Sequence, residues 1–205
     1  MPDLTLLHTA DVHCATFDRL APTADLHHIV RPDWLTRAQT QIDTALRNEV
    51  TKAVTTAKGP VLCSCTTIGE VAEAAGATRI DWPMMQRAAQ IGAPVLMAYC
   101  LDSTLAPSQA LLQRAFGQRD PHLSLLDLSH LWGMFVAGQT TDFAVAIAQA
   151  VDEAVHDRSN GCVVLAQASM AQAAGLAHCT RHTPVLSSPD LAIKALLPVR
   201  ATKRF

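Results

Sequence analysis

The same strand–turn–helix pattern occurs twice in this chain, and this repeat restricts the fold more than any other feature. The first copy occupies residues 61–75 and the second occupies residues 163–175. When the two copies are superposed, Gln167 falls where Cys65 stands. A buried strand that leads through a polar turn into a helix is a unit of α/β architecture. The repeat therefore predicts two similar α/β halves that face each other.

Apolar segments alternate with helical patterns along the whole chain. The strands are predicted at residues 4–8, 26–30, 61–65, 94–99, 123–128, 162–168 and 184–188. The main helices are predicted at 33–50, 70–75, from Pro83, at 105–116 and at 141–156. This alternation predicts parallel pairing with right-handed crossovers. We expect an α/β fold with two pseudo-symmetric, Rossmann-like lobes, each with a mainly parallel four-stranded sheet, and an active site in the crevice between them.

Composition and charge exclude several function classes. The chain has 205 residues, 49% of them hydrophobic, which is ample for a core. The net charge is −2, and the basic cluster 200–204 is too short to follow a phosphate backbone, so we expect no nucleic-acid partner. No apolar stretch reaches the ~18 residues that span a bilayer, and the N-terminus lacks a basic secretion signal, so a cytoplasmic protein without membrane contact is expected.

The cysteines are expected to be free thiols. There are six of them, and their spacing gives no disulfide framework in a reducing compartment. Cys63 and Cys65 do not form the Cys-x-x-Cys motif of zinc sites, so no metal site is expected. Two thiols at positions i and i+2 of one strand also suit an unstrained disulfide poorly, which weakens redox sensing as a function.

Polar residues that follow predicted strands form the candidate site, because ligands of α/β sheets bind beyond the carboxyl ends of the strands. Cys65 ends a strand and precedes a helix, whose N–H groups favour a thiolate, so we expect a low pKa for this thiol. The alternative for Cys65 is a small buried apolar residue. The candidate site residues are Asp11, His13, Cys65, Thr66, Thr67, Ser103, Thr104, Gln167 and Ser169.

These motifs resemble those of the aspartate/glutamate/hydantoin racemase superfamily. Cys65-Thr66-Thr67 is similar to the motif of that family's first lobe, whereas Ala166-Gln167-Ala168 stands where its second cysteine is found. The resemblance covers nearly the whole chain and implies a cofactor-independent enzyme whose substrate is a small carboxylate. It implies a first lobe of residues 1–92 plus 183–205 and a second lobe of residues 93–182. A homo-oligomer is left open.

The resemblance also implies roles for the candidate residues. The loop with Ser103 and Thr104 resembles the family's loop that binds a substrate carboxylate. Hydroxyls and N–H groups at Thr66 and Thr67 could bind it as well. The alternative for these residues is ordinary helix capping, which needs the same residue types. The amide of Gln167 can donate a hydrogen bond to a substrate or accept one from it, but it cannot abstract a proton.

The first predicted loop supplies the remaining candidates. Asp11 and His13 lie in it, where the family places polar residues that touch the substrate or orient a thiol, and His13 could replace the missing base.

The function expected from these observations is an isomerase or racemase acting on a small carboxylic acid or amino-acid derivative. Cys65 would be its acid/base or its nucleophile. Two alternatives stay open. Relatives of this fold that keep one cysteine include a decarboxylase and a cis–trans isomerase, and a chain that has lost one thiol could also be a catalytically idle carboxylate-binding protein.

Overall fold

The computed structural model describes residues 1–155 and 161–197. The strands are β1 (Leu4–His8), β2 (Leu26–Val30), β3 (Val61–Cys63), β4 (Thr78–Arg79), β5 (Val95–Tyr99), β6 (Leu123–Asp127), β7 (Cys162–Leu165) and β8 (Val185–Leu186). The α-helices are α1 (Val12–Leu20), α2 (Pro32–Thr40), α3 (Thr44–Thr56), α4 (Thr66–Ala74), α5 (Trp82–Ile91), α6 (Asp102–Phe116), α7 (Trp132–Val136), α8 (Thr140–Val155) and α9 (Ser188–Leu196). Short 3₁₀ segments lie at Ser129–Leu131, Ala168–Gly175 and His178–Arg181.

Two four-stranded sheets form the frame of the molecule, and all pairings between neighbouring strands are parallel. The strand orders are β2-β1-β3-β4 and β6-β5-β7-β8. The second order is the first one shifted by four strands, so the two sheets have the same topology. The predicted α/β fold with two similar lobes and mainly parallel four-stranded sheets is confirmed.

Helices cover both faces of each sheet, which explains why the strands are apolar on both sides. On β1, Leu4 and Leu6 pack into a core with Phe17 of α1 and Ile193 of α9, whereas Leu7 points to the opposite core. That opposite core is built with α2, α3 and α4. The second sheet is covered by α7 and α8 on one face and by α5 and α6 on the other.

Several predicted elements differ from the structure. The predicted helix 33–50 is two helices, because the chain is extended at Gln41 and the Asp43 carboxylate accepts a hydrogen bond from Leu46 N–H (2.7 Å), which starts α3. The loop predicted around His13 is α1, and the short strand β4 was not predicted. The helix predicted after Gln167 is a 3₁₀ segment. The predicted helix end at His156 lies outside the described residues.

The C-terminal strand was assigned to the wrong lobe. β8 pairs with β7, through Val163↔Val185 and Val164↔Leu186, so this strand belongs to the second sheet and not to the first lobe. Helix α9 does pack against the core of the first sheet. The remaining lobe boundaries stay a prediction, and residues 198–205 lie outside the described part. In that part, no helix combines the length and the apolar character needed to cross a membrane.

Candidate active site

A small cavity of about 40 Å³ lies at the carboxyl ends of the two sheets, between the lobes. Seven of the nine predicted site residues line it, whereas Asp11 and Ser103 do not. No arginine or lysine is found among the described residues of its wall. An anion in this cavity would therefore be held by neutral hydrogen-bond donors. The predicted residues that line the cavity are His13, Cys65, Thr66, Thr67, Thr104, Gln167 and Ser169.

Cys65 is the N-cap residue of α4 and follows β3 directly. Its side chain is buried, and burial raises the pKa of the thiol. The Thr9 hydroxyl and the N–H groups of Thr67 and Ile68 oppose this shift without cancelling it. The expected low pKa is therefore wrong: the helix N-terminus does favour the thiolate, but loss of water outweighs it. In the free protein Cys65 is a protonated thiol, which is the form that donates a proton.

Cys63 lies two residues earlier and is fully buried in the core of the first lobe. Its Sγ donates a weak hydrogen bond to the carbonyl of Cys65 (3.5 Å), and burial raises the pKa of this thiol well above its usual range. All six cysteines are free thiols. Cys63 is thus a packing residue at the base of the site.

Gln167 follows β7 as Cys65 follows β3, and it faces the same cavity. Its Oε1 accepts hydrogen bonds from the backbone N–H groups of Cys100 (2.7 Å) and Leu101 (3.1 Å). Both bonds fix the orientation of the amide and hold the loop that precedes α6. The Nε2 group makes no hydrogen bond within the described residues, so two N–H donors are available to an oxygen atom in the cavity.

The threonine and serine hydroxyls mainly connect the two lobes. Thr66 Oγ1 donates to the carbonyl of Ala166 (3.2 Å), and Thr67 Oγ1 contacts Ser103 Oγ (3.1 Å). Thr104 Oγ1 donates to the carbonyl of Leu101 in its own helix turn (2.7 Å). Thr66 and Thr104 thus use their hydroxyl protons on the backbone, and Ser103 reaches the site only through Thr67.

Ser169 has a different environment, although it occupies the position of Thr67 in the repeat. Its Oγ is buried and makes no hydrogen bond within the described part of the chain. A buried hydroxyl without a partner is costly, so its presence in the cavity wall favours a ligand that accepts its proton. Ser169 and the Nε2 group of Gln167 together form a polar wall on the second lobe.

His13 lies on α1 and is buried in the cavity wall. Burial lowers the pKa of its imidazole to about 4, so the ring is neutral at physiological pH. Its ring is stacked near Phe135, with 6.4 Å between the centroids. Asp11 precedes the helix and is exposed in a separate groove, so the structure does not bring this predicted residue to the cavity.

Two aromatic residues of the second lobe cover part of the cavity, and the sequence analysis missed them. Trp132 and Phe135 of α7 are stacked with 4.8 Å between their centroids, and both line the cavity. The same two residues line an outer groove of about 660 Å³. A cavity of 40 Å³ has room for only a few water molecules, so a larger ligand would need these two side chains to move, and the groove gives a path to the cavity.

Thr9 was also missed, although it carried a signal. It follows β1 directly, so the rule that placed Cys65 and Gln167 at strand ends applies to it as well. Nothing in the sequence marks Trp132 and Phe135, because they follow β6 through a 3₁₀ turn and reach the cavity only by packing against Phe143 of α8.

Comparison with known proteins finds solved structures that share this architecture. No family model and no curated protein sequence matches the chain. The solved structures that share the fold include allantoin racemase from Klebsiella pneumoniae, with a TM-score of 0.63, 14% identity and coverage of 94% of this chain and 85% of that chain. They also include glutamate racemase from Francisella tularensis subsp. tularensis SCHU S4 in complex with D-glutamate, with a TM-score of 0.62, 11% identity and coverage of 94% of this chain and 78% of that chain. The chain has the two-lobed α/β fold of these racemases.

Proposed function

We propose that this protein is an isomerase-type enzyme acting on a small carboxylic acid, with Cys65 as its acid/base group. The observation that carries the proposal is that the buried thiol of Cys65 lines one cavity between the lobes together with Gln167 and Ser169. The racemase fold supports the same reaction class. The cavity concentrates neutral donors beside the one thiol among its described residues, which suits a carboxylate whose α-carbon carries a labile bond.

In the proposed reaction, the substrate carboxylate accepts hydrogen bonds from the Nε2 group of Gln167 and from the Ser169 hydroxyl. The α-carbon then lies against Cys65 Sγ. Cys65 first loses its thiol proton to water. The thiolate then takes the α-proton, and the electron pair of the broken C–H bond stays on an enediolate, whose oxygens keep the same donors. The thiol returns a proton to the α-carbon. Thr9, Thr67 and Ile68 stabilise the thiolate while it exists, since their groups lower its pKa.

The amide side chain of Gln167 limits the stereochemistry of this reaction. An amide has no useful pKa, so Cys65 would be the group that transfers protons, and it would act on one face of the substrate α-carbon. Removal and return of a proton on the same face exchange hydrogen with retention of configuration. Inversion then requires the planar intermediate to turn over or a second acid, and neutral His13 is the only other titratable group among the described cavity residues.

The raised pKa of Cys65 favours decarboxylation as the second candidate. A malonate-type substrate would break its bond to one carboxylate, carbon dioxide would leave, and the electron pair would stay on the α-carbon. The protonated thiol would then donate its proton to that carbon, without first having to ionise. Attack of sulfur on a double bond, as in cis–trans isomerisation, needs the thiolate and is favoured less.

The proposal is tested by incubating the protein in D₂O with small α-substituted mono- and dicarboxylates, including amino acids and malonates. We expect loss of the α-proton signal, or release of carbon dioxide with one deuterium in the product, for at least one compound. Binding in a thermal-shift assay, without exchange or decarboxylation of any bound compound, would instead identify a catalytically idle carboxylate-binding protein.

A further inference from the structure

A cluster of nitrogen and sulfur ligands lies outside the candidate active site, beneath α1. We propose that His8, His28 and Cys14 bind a zinc-type divalent cation. One ligand atom of each residue lies within 4.8 Å of the others. The proposal goes beyond the carboxylate chemistry of the cavity. It also differs from the sequence prediction, which considered a metal only at Cys63 and Cys65.

The fold brings these three side chains together from separate elements. His8 ends β1 and His28 lies in the neighbouring edge strand β2, where it pairs with Leu6, two residues before His8. Because side chains of a strand alternate, His8 and His28 share one face of the sheet. Helix α1 crosses that face, and Cys14 and Asp18 lie one turn apart on it.

The proton positions around the two histidines follow from their outer hydrogen bonds. Ser64 Oγ donates its single proton to the carbonyl of Leu7 (3.0 Å), so it must accept from Nδ1–H of His8, 2.7 Å away. Nε2 of His28 lies 3.2 Å from Oδ1 of Asp18. A carboxylate can only accept, so this nitrogen carries a proton.

These assignments leave two bare nitrogens facing each other. Nε2 of His8 and Nδ1 of His28 are 2.8 Å apart, and in neutral rings both carry a lone pair. Two lone pairs at this distance repel each other unless a cation lies between them. A shared proton would meet this need, but it would not explain the third ligand: the Cys14 thiol points into the same cluster.

The donor set matches what zinc prefers. Imidazole nitrogen and thiolate sulfur are both ligands that zinc takes in proteins, and three protein ligands leave the fourth tetrahedral position open to water. In tetrahedral geometry the two nitrogens would be about 3.3 Å apart, so the rings need to separate by about half an ångström. The outer bonds of the histidines to Asp18 and Ser64 are the contacts that fix metal-bound imidazoles in their ligating orientation.

Cobalt(II) provides a direct test with the full-length protein, because a cobalt–thiolate bond gives a charge-transfer band. We expect the folded apoprotein to show this band on titration with Co²⁺ and to lose it on addition of Zn²⁺. Cys14→Ser and His28→Gln should each remove or strongly weaken the band. Asp18→Asn should reduce the affinity by ~10–100-fold, as loss of a contact to a ligating histidine does.

Two variants serve as matched controls. Cys179→Ser alters another partly buried thiol outside the cluster, and Cys65→Ala removes the thiol of the proposed active site; both should keep the band. Circular dichroism checks that every variant is folded. Absence of the band in the folded wild-type protein would overturn the metal site and leave a proton between the histidines. A band that persists in Cys14→Ser, or that is lost in Cys179→Ser, would overturn it as well.

Discussion

Cys65→Ala should lower the rate of α-hydrogen exchange by ~10²–10⁴-fold or more, measured on a carboxylate that the wild-type protein turns over. This is the usual cost of losing an essential acid–base group. Cys65 is the one thiol among the described residues of the cavity, and Gln167 opposite it cannot transfer a proton. The fold should survive, because alanine fills most of the space of this small side chain. Exchange followed by nuclear magnetic resonance, together with a thermal-shift assay for carboxylate binding, separates lost chemistry from lost binding.

Cys63→Ala is the matched control for this experiment. This thiol is two residues away and also buried, but it lies in the core and not in the cavity wall. It should lower the stability of the protein and leave the exchange rate nearly unchanged. Full activity of the Cys65→Ala variant would show that another group moves the proton, and His13 would then be the residue to test.

Arg79→Ala should destabilise the protein by about 3–5 kcal/mol, the cost of leaving one partner of a buried ion pair alone. Arg79 donates to both carboxylate oxygens of Asp81, at 3.0 and 2.8 Å, and to the carbonyl of Pro107 in α6. Both side chains of the pair are almost fully buried. The substitution would leave the Asp81 carboxylate without its cation in the interior. Urea unfolding followed by circular dichroism measures the change.

Arg114→Ala supplies the comparison, because it removes an exposed ion pair, which joins Arg114 of α6 to Glu73 of α4. Arg114 binds Glu73 through two bonds, but its side chain is 48% exposed. It also lies over the Trp82 ring, 4.3 Å from the centroid. Such exposed contacts contribute about 1 kcal/mol or less. Equal losses for the two variants would contradict a special role for the buried pair.

Local sequence patterns predicted the strands and the parallel sheets. A run such as Leu4–His8 is buried on both faces of the sheet, and this burial is typical of strands in parallel sheets. They failed where one residue decides the local structure. Asp43 starts a new helix by accepting from Leu46, and the helical periodicity continues through this break, so a single helix was predicted. The sheet to which β8 belongs depends on long-range pairing, which no local pattern records.

The candidate site was predicted in part for the same reason. Strand ends marked Cys65 and Gln167, because their place in the sheet follows from the repeat. The predicted direction of the Cys65 pKa shift was wrong, because it depends on how far α7 and the second lobe exclude water from the thiol. The contacts that occupy Thr66 and Thr104 also come from the folded backbone, and the sequence alone does not show them.

Alkylation of Cys65 by iodoacetate and by iodoacetamide tests the central claim most directly, because it needs no knowledge of the substrate. The two reagents differ in a carboxylate and share a leaving group. Peptide mass spectrometry gives the rate of alkylation of Cys65 by each reagent. The rate with iodoacetate divided by the rate with iodoacetamide should be larger for Cys65 than for N-acetylcysteinamide, because the cavity donors bind the carboxylate of iodoacetate. Both alkylation rates of Cys65 should still rise with pH where the rate of N-acetylcysteinamide has become constant. The reason is that the raised pKa of Cys65 shifts the formation of its thiolate to higher pH. A ratio at or below that of the free thiol would contradict a carboxylate site at Cys65.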